Sequence, residues 1–254
     1  MSLKIIIKIF FSLKNHFSNI LQINRLGLKK YIFKYILGIF SKQLIKIIFR
    51  SQIKDLKNFF IKGQYTTDWT TSNSNNFLVL PKLLKTGSDK LNIKVLEIGS
   101  FEGYSANIFN NIFPNCEIYC VDPFLSYSEL PSLDFNKVEN NFDINTKNIN
   151  IKKFKMFSKD FFKNYQFFFD IIYVDGSHKA DDVFSDGVNS FKSLKKGGII
   201  FFDDFIGGFI DKSSPMFGIK KFLNIYSHSL ELCFINEQIG FKKKNNKILH
   251  KTLR

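Results

Sequence analysis

Four times in this chain a short apolar run stops at a glycine or an acidic residue. Val95-Leu96-Glu97-Ile98 stops at Gly99, Ile118-Tyr119-Cys120-Val121 at Asp122, Ile171-Ile172-Tyr173-Val174 at Asp175, and Ile199-Ile200-Phe201-Phe202 at Asp203-Asp204. Segments of helical spacing lie between them. Strands of four to six apolar residues alternating with helices specify a mainly parallel, doubly wound α/β sheet, because parallel neighbours need a crossover and helices must cover both faces. The spacing predicts strands over 94–98, 117–121, 151–157, 170–174 and 198–202, and helices over 77–84, 104–113, 132–147, 181–194 and 216–227. Residues 230–236 and 239–244 read as a closing hairpin.

In such sheets ligands sit beyond the carboxyl ends of the strands, so the residues that follow each run are the ones to inspect. After the first comes Glu97-x-Gly99-Ser100-x-x-Gly103-Tyr104-Ser105. The glycines allow a tight turn, and the helix start beyond them presents free backbone N–H groups. The spacing is not the Gly-x-Gly-x-x-Gly of dinucleotide enzymes, which argues against a dehydrogenase. Asp122 stands at the second strand end, where a carboxylate can accept from both hydroxyls of a ribose; the alternative is an aspartate that starts a turn before Pro123. Asp175, Asp203 and Asp204 follow the fourth and fifth strands. On neighbouring strands their carboxylates converge and repel unless a cation or protons intervene, and oxygen donors suit Mg²⁺, Mn²⁺ or Ca²⁺. The alternative is that some of these aspartates cap the helices that follow. His178, three residues past Asp175 and one of 4 histidines, is the candidate base, or simply a helix-start residue.

Charge divides the chain. Residues 1–62 hold thirteen Lys/Arg against a single acid, Asp55, whereas the remainder holds 24 basic and 21 acidic residues. The net charge of +15 is therefore a property of the first quarter, and a nucleic-acid reading of the whole chain does not follow from it. That quarter reads as a basic helical extension (1–62) ahead of the sheet domain (63–254). It is either a helical cap with lysines facing water or an amphipathic surface that meets an anionic membrane or a partner. Lys8 interrupts the apolar Ile5–Phe11 stretch and no small-residue cleavage site follows, so no secretory signal is expected. Residues 63–76, which include Trp69, read as a linker. Cys116, Cys120 and Cys233 have neither disulfide nor zinc spacing, which fits a reducing, cytoplasmic setting.

Taken together, VLEIGSFEGYSA, IYCVDPF, FDIIYVDGSHKADDV, SLKKGGIIFFDDF and QIGFKK resemble, in that order, the class I methyltransferases of the macrocin and catechol O-methyltransferase-like group. The resemblance covers Asp68 to Lys244, about 70% of the chain. It implies a Rossmann-like seven-stranded sheet with an antiparallel last strand, and S-adenosylmethionine as cofactor. Glu97, Gly99, Ser100, Gly103, Tyr104 and Ser105 would shape the cofactor pocket. Asp122 would bind the ribose and Ser158 would meet the adenine. Asp175 would border the cofactor while ligating Mg²⁺ with Asp203 and Asp204. His178 falls where the catechol enzymes place a lysine base. The reaction implied is O-methylation of a hydroxyl on a small molecule or glycan. Two other classes stay open: an RNA or protein methyltransferase using the basic extension, and a non-catalytic cofactor-binding protein at a membrane surface. The first lacks an Asn-Pro-Pro-Tyr-type motif, and the intact aspartates argue against the second.

Overall fold

The computed structural model describes residues 16–68, 74–84, 92–126, 132–206 and 213–245. Trp69 and the apolar 5–11 stretch lie outside these. Seven strands form one sheet in the order β3-β2-β1-β4-β5-β7-β6, with β1 Lys94–Ile98, β2 Glu117–Val121, β3 Ile151–Phe154, β4 Phe169–Val174, β5 Leu194–Phe202, β6 Leu230–Ile235 and β7 Ile239–Lys243. Strands β1 to β5 pair in parallel, and β7 inserts antiparallel between β5 and β6. The expected class and the antiparallel last strand are both present.

Ten helices are described: α1 Phe17–Arg25, α2 Ile32–Ile48, α3 Arg50–Lys62, α4 Ser74–Leu78, α5 Leu80–Leu84, α6 Tyr104–Ile112, α7 Phe135–Thr146, α8 Ser158–Asn164, α9 Ala180–Ser193 and α10 Pro215–Tyr226. The single helix expected over 77–84 is two short ones. Pro81 offers no N–H to the carbonyl four residues back, and its ring crowds that turn. The third strand ends at Phe154, short of 157, because the chain turns there, with the Met156 N–H on the Phe154 carbonyl at 2.9 Å, before Phe157 leads into α8.

Alternation along the strands supplies two apolar faces. Leu96, Ile98, Tyr119, Ile172 and Phe202 pack on one side with α8, α9 and α10. Val95, Ile118, Cys120, Tyr173 and Phe201 pack on the other with α4, α6 and α7. Cys116 and Cys120 are free and buried on this second side, where they pack as small hydrophobes.

Among the described residues, the basic extension packs into the two clusters of the sheet domain. Ile23, Leu26, Leu28, Tyr31, Tyr35 and Ile39 join the first cluster, and Leu56 joins the second. Helix α2 lies along β6, the edge strand, and covers it. Gly38 is where the two meet most closely, since a Cβ there would overlap the Ile235 carbonyl. Lys42 closes the contact through Glu237 at 2.6 Å, and that ion pair holds the Glu237 carboxyl below its usual range against the effect of burial. None of the helices among the described residues is long and apolar enough to cross a membrane.

Candidate active site

The turn after β1 is built around two left-handed glycines, Gly99 (φ 86°) and Gly103 (φ 78°), with Phe101 also at positive φ (45°) between them. A Cβ on Gly99 would overlap the carbonyl oxygen of Asp175, so the turn lies directly against the end of β4. A Cβ on Gly103 would sit 2.6 Å from Thr146 Cγ2 of α7. Both glycines are thus required by the protein's own packing.

Asp122 holds this turn in place. Its Oδ2 accepts from the Phe101 N–H at 2.9 Å and its Oδ1 from the Phe124 N–H at 2.7 Å, Phe124 itself having φ 49°. Burial raises the Asp122 pKa, and these backbone donors oppose the rise. Each oxygen keeps a lone pair, enough to receive a pair of hydroxyls.

Glu97, on β1, is fully buried. Burial pushes its pKa up to about 7, while the nearby Ser105 and Ser100 hydroxyls and the Cys120 thiol favour the carboxylate. Cys120 Sγ lies 3.6 Å from Oε2, but Glu97 Oε1 and Ser100 Oγ have no hydrogen bond of good geometry. A buried acceptor and a buried hydroxyl without partners, on either side of a glycine turn, suit a polar ligand.

Two of the expected cofactor residues have other partners here. The Tyr104 hydroxyl donates to the Leu56 carbonyl at 3.0 Å and ties α6 to α3, so it offers no donor to a ligand. Ser158 Oγ donates to Asp186 Oδ1 of α9 at 2.5 Å. Asp186 is pushed up to about 6 by burial, with the Ser158 bond opposing, so this hydroxyl stabilises a buried carboxylate.

The acidic edge is compact. Parallel pairing sets Asp175 and Asp203 side by side, with the Asp175 N–H on the Ile98 carbonyl and the Asp203 N–H on the Val174 carbonyl. The Tyr173 hydroxyl is 2.8 Å from Asp175 Oδ2 and 2.5 Å from Asp203 Oδ2. A phenol has one hydrogen to donate, so both contacts are satisfied only when one of the carboxyls keeps a proton. The electrostatics agree. Burial, then the Asp203 and Asp204 charges, hold the Asp175 pKa well above the usual range, and burial, then Asp204, raise that of Asp203.

Asp203 also accepts from Gln238 Nε2 at 3.0 Å, and Gln238 is bound in turn by Asn76 at 2.8 Å. Its carboxylate therefore faces a buried polar network. Asp204 (φ 51°) points the other way, and its Oδ2 lies 2.9 Å from His178 Nε2. Among the described residues, the set whose ligand atoms all lie within 4.8 Å of one another is Asp175, His178 and Asp204. Asp203, grouped with Asp175 and Asp204 in the sequence as a metal ligand, shares the Tyr173 hydroxyl with Asp175 and also accepts from Gln238, while the exposed His178 lies in the close set with Asp175 and Asp204. Asp175, Gly176, His178, Asp203, Asp204 and Pro215 are among the residues that line a small cleft at this edge.

Residues 96–205, which carry the turn, Asp122 and the acidic edge, match the family model described as a methyltransferase domain. The chain carries a methyltransferase domain on the class I methyltransferase fold. No curated protein sequence matches it. Among solved structures, the methyltransferase is similar to a Klebsiella pneumoniae protein assigned as an O-methyltransferase (TM-score 0.54, 10% identity, covering 80% of this chain and 96% of that one). It is also similar to the Bacillus cereus O-methyltransferase in complex with SAH (TM-score 0.53, 13% identity, 80% and 97% covered). The mycinamycin-pathway methyltransferase MycE, in complex with Mg and SAH, is similar at a TM-score of 0.50 and 17% identity, with 77% of this chain and 55% of that one covered. At these identities the likeness establishes the fold.

Three site residues of the methyltransferase escaped the sequence reading. Tyr173 was legible: strand alternation puts it on the same face as Asp175. Glu102 accepts from the Thr66 N–H at 2.6 Å and from Asn141 Nδ2 at 2.8 Å, and so anchors the segment before the sheet onto the turn. Its signal was weak, an acid just before a helix. Gln238 had none, because the β6–β7 hairpin returns it to the edge from far along the chain.

Proposed function

We propose that this methyltransferase transfers its methyl group to a hydroxyl oxygen of a small molecule or glycan, with His178 as proton acceptor. The observation that carries this reading is the His178–Asp204 contact of 2.9 Å at the edge beside Asp175. Asp204 fixes the imidazole through Nε2 and favours the imidazolium that forms when a hydroxyl gives up its proton. Glu97 and Ser100 offer the turn's unpartnered polar atoms, and Asp122 offers two oxygens already oriented by backbone donors. With the cofactor bound there, these residues align the methyl carbon with the acceptor oxygen, and alignment of this kind is worth roughly 7–11 kcal/mol.

A divalent cation fits the same edge. Burial and then the Asp203 and Asp204 charges raise the Asp175 pKa, a cation would relieve the repulsive part, and Asp175 and Asp204 are the oxygen donors of the 4.8 Å set. Bound there, it would supply Lewis acidity that lowers the acceptor hydroxyl's pKa. A second reading makes His178 the third ligand, favoured by its inclusion in the 4.8 Å set. A mixed oxygen and nitrogen set suits Mn²⁺ at least as well as Mg²⁺.

The test uses tritiated S-adenosylmethionine, a panel of phenols and sugars, and Mg²⁺, Mn²⁺ or chelator. Transfer to hydroxyl acceptors that is lost in His178→Ala and in chelator supports the reading. Transfer confined to RNA or to protein amines contradicts it. Calorimetric metal titration of His178→Ala separates the two roles: retained metal binding assigns His178 to the proton, and lost metal binding assigns it to the metal.

A further inference from the structure

The extension covers β6 with one side of α2 and leaves the other side apolar. Phe33, Leu37, Phe40, Leu44, Ile47 and Ile48 follow steps of four, three, four, three and one. At 3.6 residues per turn they fall within about 100° of arc on one face. That face looks outward: Phe33, Leu44, Ile47 and Ile48 are 68%, 60%, 65% and 70% exposed. The opposite face carries Tyr35 and Ile39 into the core and pairs Lys42 with Glu237. This inverts the usual surface helix, whose outward side is polar. A contiguous apolar stripe on a folded domain marks a docking surface.

What borders the stripe identifies the occupant. Lys30 and Lys34 line an open groove beside the start of α2, together with Lys244, and Glu231 is its single acidic member. Arg50 follows the stripe directly, and residues 1–62 hold only Asp55 to offset thirteen cations. A second copy docked face to face would set these cations against their like, with Glu231 the single acid of the groove to offset them. Anionic lipid headgroups are complementary to them, and the apolar stripe suits the acyl boundary just beneath. At 17 residues α2 is too short to span a bilayer, which leaves it lying in the interface plane.

We propose that α2 docks this enzyme onto anionic membrane surface, with Leu44, Ile47 and Ile48 inserted and the flanking cations on the headgroups. The attachment is rigid. Lys42 binds Glu237, whose carbonyl accepts from the Phe205 N–H at 2.8 Å, one residue past Asp204. Leu44, Ile47 and Ile48 lie just beyond Lys42, so docking would hold the catalytic edge beside the bilayer.

The experiment is vesicle flotation of the full chain with phosphatidylcholine alone or phosphatidylcholine containing phosphatidylglycerol. The wild type is compared with Leu44→Glu/Ile48→Glu and with Lys30→Glu/Lys34→Glu. Both pairs are exposed and remote from the cofactor turn, and S-adenosylmethionine binding by calorimetry verifies that each variant is folded. Wild type should float with phosphatidylglycerol vesicles, at least ten-fold more weakly with phosphatidylcholine alone, and at least ten-fold more weakly in either variant. Four outcomes overturn the proposal: no flotation of folded wild type, flotation indifferent to phosphatidylglycerol, flotation unchanged in Leu44→Glu/Ile48→Glu, or a wild-type dimer in sedimentation that this variant abolishes. The last would assign the stripe to a second copy.

Discussion

His178 Nε2 lies 2.9 Å from Asp204 Oδ2, and Asp204 reaches it from a left-handed backbone conformation (φ 51°). An aspartate held at positive φ is strained, and strain of this kind collects where geometry serves function. Removing the imidazole should lower kcat by about 10²–10⁴-fold, the usual worth of a positioned proton acceptor. Cofactor affinity should not change, since the proposed cofactor contacts are Glu97, Ser100 and Asp122. Steady-state kinetics of His178→Ala with a calorimetric cofactor titration checks both; full turnover would remove His178 from the mechanism.

The β1 turn gives a sharp contrast between two glycines. Gly99→Ala places a Cβ onto the Asp175 carbonyl at φ 86°, whereas Gly27→Ala, at φ 71°, meets nothing within 4 Å. The second should cost about 1 kcal/mol of backbone strain and the first at least about 3 kcal/mol. Urea unfolding of both variants measures the difference. Equal losses would mean that the turn does not rest on β4.

Glu97 gives the apo enzyme a pH dependence whose sign is fixed. Its folded pKa is about 7 against an ordinary 4.5, so the folded state holds the proton more tightly than the unfolded chain. Its ionisation therefore costs stability that is absent below about pH 4.5, grows between 4.5 and 7, and stays constant above. Glu97→Gln should flatten this slope and raise apo stability at pH 8 by up to about 3 kcal/mol. It should also weaken cofactor binding, because the buried acceptor at Oε1 is altered. Thermal melts at pH 5 and pH 8 read the first effect; a wild-type slope retained in the variant would contradict it.

Tyr173 separates Asp175 from Asp203. Tyr173→Phe leaves both carboxyls without that hydroxyl and should destabilise the apo enzyme by about 1–3 kcal/mol. The loss should be larger at pH 8 than at pH 5. Both aspartates have raised pKa values, so raising the pH ionises them against each other once the hydroxyl is gone. Denaturant curves at the two pH values check the sign.

Much of the architecture was legible because local signals agreed. The predicted bounds for β1 and β2 match, and β4 differs by one residue, since apolar runs closed by Gly99, Asp122 and Asp175 leave little freedom in where a strand stops. The edge aspartates were located for the same reason. Their division of labour was not legible. Asp203 and Asp204 are adjacent in sequence and diverge only because one faces Gln238, supplied by a hairpin more than thirty residues further on. Ser158 and Tyr104 read as cofactor contacts by position, but α9 and α3, packed from elsewhere in the chain, had already claimed their hydroxyls. The basic extension showed its amphipathic period; which side faced the sheet depended on the close approach of Gly38 to β6.

The central claim is that the β1 turn and Asp122 hold S-adenosylmethionine. Isothermal titration of that cofactor into the folded wild type and into Asp122→Ala tests it most directly. The structure predicts saturable binding to the wild type and binding at least about ten-fold weaker in the variant, in line with the loss of two charge-assisted hydrogen bonds. Absence of binding to the folded wild type, or equal affinity in Asp122→Ala, would contradict it.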